Sequence, residues 1–150
     1  MTTKDIAAEP QRVWSVLTDI ENAPQVLRGV ISVEVLTAPP FRVGTRWRET
    51  RRMMGREETQ ELEVTALDTL GRMTVESAAG DITYTTTFTL TPLRPGTRVT
   101  MTFDGSVAPS AGLVSRVIGA ATKPIGALVM RRVMSAELDD IAAAAERQVR

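Results

Sequence analysis

The sequence predicts an α+β chain in which a curved antiparallel sheet of about seven strands wraps around a long C-terminal helix. Three observations carry this. From Val30 to about Phe103 apolar residues recur with period two, cut by turn signals. After the Gly/Ser/Pro segment Gly105–Gly112 the period becomes helical and stays so to about Arg147. The period-two region also sorts its side chains onto one polar and one apolar face, as in an antiparallel sheet covered on one side.

The elements follow in order. Residues 2–7 read as a short first strand. Pro10 suits the first position of a helix whose Val13, Trp14, Leu17 and Ile20 share one face. A second short helix runs from Ala23 to Leu27 and ends at Gly29. Turn signals then fall at Pro39-Pro40, Met54-Gly55, Asp68–Gly71, Ala79–Asp81 and Pro92–Gly96.

The strand registers are legible from the turns. A turn at Met54-Gly55 sets Arg52 opposite Glu57, Arg48 opposite Glu61 and Arg46 opposite Glu63, all on one side. Trp47 then faces Leu62, and Thr45 faces Val64, on the other. Opposite-charge pairs on one face mark it as the solvated one, so the Trp47 face is the inner one. A turn at Ala79-Gly80 pairs Val75 with Tyr84 and Ser77 with Ile82 inside, and Glu76 with Thr83 outside. A turn through Pro92–Gly96 pairs Leu90 with Val99, Phe88 with Met101 and Thr86 with Phe103 inside. Threonines such as Thr85, Thr87, Thr89 and Thr102 form the outer face of that ribbon.

The covering helix presents Val114, Val117, Ile118, Ala121, Ile125, Leu128 and Val129 as a stripe, continued by Met134, Leu138, Ile141 and Ala145. Pro124, with Gly119 and Gly126 nearby, is expected to kink or break this helix.

One hundred and fifty residues with 43% hydrophobic content make one domain, 1–150, able to bury a core unaided. Eighteen basic residues balance 18 acidic ones, so no global field favours nucleic acid as a partner. With no cysteine and no histidine, thiolate chemistry, zinc–sulfur sites and serine–histidine triads are excluded. Glu137, Asp139 and Asp140 point in different directions on a helix and make no hard-metal site. No metal and no cofactor is expected. The N-terminus carries no signal-like stretch and no window reaches 18 apolar residues. The expectation is a cytoplasmic protein with no integral membrane association.

The segment AAEPQRVWSVLTDIENAPQVLRGVISVEVL, with Pro10-x-x-Val13-Trp14 leading into Asp19-x-Glu21-Asn22, resembles the opening of the polyketide cyclase/dehydrase-like branch of the SRPBCC/START-like superfamily. Val43–Thr50 resembles that branch's third strand. The resemblance covers essentially the whole chain and implies the helix-grip fold, with two short helices after strand one and a pocket under the long helix. Members include lipid carriers, hormone sensors, aromatases and cyclases, so the resemblance does not choose a chemistry. Aromatase/cyclase members place tyrosine, arginine or histidine in the cavity; here there is only Tyr84 and no histidine.

The candidate ligand-binding set is Trp47, Glu49, Arg51, Gln60, Leu62, Met73, Val75, Tyr84, Phe88, Met101 and Phe103 on the sheet, with Ala121 and Ile125 on the helix. Such walls suit a lipid, isoprenoid, aromatic or polyketide-like molecule. The same residues also read as a filled core without a cavity. Glu49, Arg51, Glu58 and Gln60 share the inward parity of Trp47. They form either a polar patch that orients a ligand's hydroxyl, carbonyl or carboxylate, or a rim salt bridge between Arg51 and Glu58. A Glu49 set deep among apolar side chains has the raised pKa that a general acid or base needs. Met53, Met54 and Ala108–Leu113 belong to loops that border the cavity entrance in the family. The leading expectation is a small-molecule binding protein. The second is a cofactor-independent cyclase, dehydratase or aromatase using Glu49 or Tyr84. The third is an accessory protein with a filled core that binds a protein partner. A homodimer is one option for its assembly.

Overall fold

The computed structural model describes the backbone of residues 1–53, 55–79, 82–107 and 113–147, and the side chains over the same range except Met53, Ala79, Val107, 113–127 and Val129. Met54, Ala108–Gly112 and the side chains of Ala121, Ile125 and Val129, all named from the sequence, lie outside the described residues.

Strand β1 (Thr2–Ile6) leads to α1 (Pro10–Thr18), a 3₁₀ turn (Ile20–Asn22) and α2 (Ala23–Val26). Pro10 opens α1, where its missing N–H costs nothing, and Val13 and Leu17 are the residues α1 buries. The meander follows as β2 (Val30–Val35), β3 (Arg46–Met53), β4 (Arg56–Asp68), β5 (Arg72–Ala79), β6 (Ile82–Pro92) and β7 (Thr97–Val107). Helix α3 spans Leu113–Arg147. The seven strands form one antiparallel sheet in the order β1-β7-β6-β5-β4-β3-β2, so β1 and β2 are its two edges.

The β3–β4 register is the one the charge pattern dictates. Arg46, Arg48 and Arg52 face Glu63, Glu61 and Glu57, while Trp47 faces Leu62. Arg48 reaches Glu61 at 2.9 Å on the exposed face. The β6–β7 pairs Thr86/Phe103, Phe88/Met101 and Leu90/Val99 also match. The β5–β6 ladder corrects the expected one by two residues: Ser77 faces Tyr84, Val75 faces Thr86 and Met73 faces Phe88. Pairing closes at Ala79 with Ile82, which leaves Gly80-Asp81 between the strands. A slip of two leaves every side chain on its own face, so the inner and outer assignments survive.

A bulge in β4 has a sequence signature that period-two reading passes over. Val64 pairs with Val75 but Ala66 pairs with Thr74, so Thr65 is extra. The inward apolar residues are accordingly spaced two and then three apart, at Leu62, Val64 and Leu67. Such an extra residue bends its strand and raises the local twist, curving the sheet toward α3.

The core joins Ile6, Val13, Leu17, Trp47, Val64, Met73, Val75, Phe88, Leu90, Val99 and Met101 to Met134, Leu138, Ile141 and Ala145 of α3. Acids on the last turns of α3 hold it to the rest of the chain. Asp139 pairs with Lys4 on the β1 edge at 3.0 Å, and Asp140 takes the Nε–H of Arg28, just before β2, at 2.8 Å. Glu146 accepts the Ala7 backbone N–H at 2.9 Å. Two expectations for α3 change. The helix runs through Pro124 as one element, so of the expected kink or break the break is overturned. Leu128 is 55% exposed rather than part of the buried stripe. It lies six residues before Met134, about 120° around the helix from that buried side chain.

Candidate functional site

Between the inner face of the sheet, α1, α2 and α3 lies a cavity with about 110 Å³ of space open to water centres. A single water needs roughly a tenth of that, so the interior is not filled. Among the described residues its apolar walls come from Trp47, Leu62, Met73, Val75 and Phe88 on the sheet, from Val16, Leu17, Ile20 and Leu27 on the N-terminal helical segment, and from Ile141 on α3. Its polar lining is Asp19, Glu49, Arg51, Thr86 and Glu137.

The polar end follows from strand parity. Trp47, Glu49 and Arg51 alternate onto the inner face of β3, which puts two charged side chains where the neighbouring strands place apolar ones. The Arg51 Nε–H donates to Glu49 Oε2 at 2.9 Å, and Nη2 donates to Glu137 Oε1 at 2.5 Å. All three side chains are largely buried, at 16%, 7% and 9% exposure for Arg51, Glu49 and Glu137. Burial works against a charged guanidinium, yet the carboxylates of Glu137 and Glu49 outweigh it and hold the Arg51 pKa above its ordinary value. Arg51 therefore stays charged at every working pH.

Of the residues singled out from the sequence, Trp47, Glu49, Arg51, Leu62, Met73, Val75 and Phe88 meet in this cavity. Gln60 is taken up by Ser77, whose hydroxyl donates to its Oε1 at 2.6 Å. Tyr84 stacks on Phe103 with ring centroids 5.4 Å apart, and neither is among the described lining residues. Met101 is a buried core residue. Glu58 stands across the ladder from Arg51 but is exposed, and the guanidinium turns inward instead. The rim salt bridge is thus replaced by an interior one.

Glu137 is the site residue that sequence reasoning missed. It had a signal: Met134, Glu137, Leu138 and Ile141 stand at i, i+3, i+4 and i+7, so a carboxylate occupies a position of the buried stripe. A buried acid needs a cation, and Arg51 is the inward arginine of β3. A buried polar atom without a partner lies in the same wall. Trp47 is 4% exposed, and its indole N–H has no hydrogen-bond partner among the described residues.

The fold is a helix grip, and solved structures share it across almost the full chain. The Thermus thermophilus protein TTHA0849 is 22% identical with a TM-score of 0.79, over 99% of this chain and 97% of that one. The Zhui aromatase/cyclase of Streptomyces sp. R1128 is 20% identical with a TM-score of 0.79, over 99% and 93%. A START superfamily protein from Mycobacterium smegmatis is 18% identical with a TM-score of 0.68, over 99% and 94%. At these identities the likeness is one of fold. Among curated proteins none matches the chain. Residues 1–146 match the family described as polyketide cyclase / dehydrase and lipid transport, and the chain belongs to that family.

Proposed function

We propose that the protein binds a small, mainly apolar molecule in the cavity under α3, with the Glu49–Arg51–Glu137 cluster facing its polar end. The observation that carries this reading is a void of about 110 Å³ with apolar walls and its buried charges gathered around one guanidinium. A pocket of this kind draws affinity from apolar burial and orientation from a few polar groups. A void larger than a water also speaks against the reading of a filled core that serves only a protein partner.

The test is a fluorescence titration of Trp47 in a Trp14→Phe background, with lipids, flavonoid-like aromatics and an apolar fluorescent probe. Ligand entry is expected to shift Trp47 emission saturably. Emission that stays flat through high micromolar concentrations of the whole panel overturns the reading.

A second reading, a cofactor-independent cyclase or dehydratase, is favoured by one observation: Glu49 is a buried carboxylate in the cavity wall beside a permanent cation. In it Glu49 moves the proton while the apolar walls exclude water and position the substrate. Turnover that survives Glu49→Gln would remove Glu49 from that role.

A further inference from the structure

We infer that the cavity takes an apolar ligand whose polar group is a neutral hydroxyl and that it turns away the matching carboxylate; this rests on the ligand-binding reading above. Arg51 has two carboxylates on one guanidinium, so the buried cluster carries a formal charge of −1. Asp19, the other charged residue among the described lining, is exposed and also acidic, and it is held by the Asn22 Nδ2 at 2.7 Å. An incoming carboxylate must shed its water and then face like charge, and the guanidinium that could have received it already serves two acids.

The Trp47 indole adds a buried donor to the same wall. Its N–H is buried without a partner among the described residues and needs an acceptor. The oxygens of Glu49 and Glu137 not bound to Arg51 are further acceptors that a donor can satisfy. Trp47 and Glu49 are successive inward positions on β3, about 6.6 Å apart along the strand. A hydroxyl is both donor and acceptor, so it can serve the indole or a glutamate oxygen. A carboxylate donates nothing to the glutamates, and an ammonium offers no acceptor to the indole.

Calorimetric titration of the full chain near neutral pH with 2-naphthol, 2-naphthoate and 2-methylnaphthalene tests this. The naphthol is expected to bind on the order of tenfold tighter than the naphthoate and tighter than the hydrocarbon. Glu137→Gln, which keeps shape and removes one charge, is expected to narrow the gap by strengthening the naphthoate. Trp47→Phe is expected to weaken the naphthol while leaving 2-methylnaphthalene little changed. Naphthoate binding as tightly as naphthol to the unaltered protein overturns the hydroxyl selection and leaves the cavity reading intact. Failure of all three to bind overturns both, and the unaltered protein decides the matter even if a variant folds poorly.

Discussion

The Arg51 guanidinium on β3 donates from Nη2 to Glu137 Oε1 on α3 at 2.5 Å, across 86 residues of chain. This contact ties the sheet to the helix that covers it, at the polar end of the cavity. Removing one member of such a buried set leaves its partners charged and unpaired. Arg51→Met is therefore expected to destabilise the fold by about 3–5 kcal/mol, and Glu137→Gln by less, since Arg51 keeps Glu49. Urea unfolding of the two variants measures the difference. Because the Arg51 pKa is raised, its stabilising contribution is full below the ordinary arginine value and fades only above it. Loss of the Arg51 proton therefore plays no part in how stability varies around neutral pH.

Leu138 and Leu128, both on α3, separate burial from composition. Leu138 is 1% exposed within the core, and Leu138→Ala is expected to cost about 2–5 kcal/mol. Leu128 is 55% exposed, and Leu128→Ala is expected to fall within about 0.5 kcal/mol of the parent. Paired denaturant midpoints check both values.

Gly96 sits at φ +100° in the β6–β7 turn, and a Cβ added there would lie 2.6 Å from the Ile6 carbonyl oxygen. Both the backbone conformation and the fixed neighbour oppose a side chain. Gly96→Ala is expected to lose about 1–3 kcal/mol, read as a drop in the thermal midpoint.

Asp5 accepts a hydrogen bond from the Arg98 Nε at 2.8 Å on the exposed face of the β1–β7 pair. That bond and, to a smaller degree, the nearby positive charge hold its carboxyl below the usual 3.8. A depressed acid stabilises the fold fully above its unfolded pKa and loses that contribution as pH falls through the lower native value. The pair is solvent-exposed, so the effect is small. Asp5→Asn is expected to flatten this part of the acid-unfolding curve, and an NMR titration of the Asp5 carboxyl reads the shift directly.

The legible parts of the fold were those where chemistry differs between faces. Arginines opposite glutamates made the β3–β4 register unambiguous, because the wrong parity buries charge. The β5–β6 ladder has no such marker, since threonines tolerate either neighbour, and there the expected register is off by two residues. Parity alone brought Trp47, Glu49 and Arg51 together on one inner face. It could not say which partner Arg51 would choose, because Glu58 lies opposite in the ladder while Glu137 arrives from a distant helix. Tyr84 shows the same limit: an inward position near a cavity does not make a wall when a neighbour such as Phe103 claims the ring.

Thr65, the extra residue of the β4 bulge, is a stored unit of chain length. A single deletion in an unbulged stretch of the meander turns every later side chain of its strand inside out. At Thr65 the ladder already steps over one residue, so its removal would bring Val64 and Ala66 into unbroken alternation with Val75 and Thr74. Leu67 would still face inward, and what the strand would lose is its bend. The depth of the hollow beneath α3 is therefore adjustable at Thr65 without rewriting which residues line it.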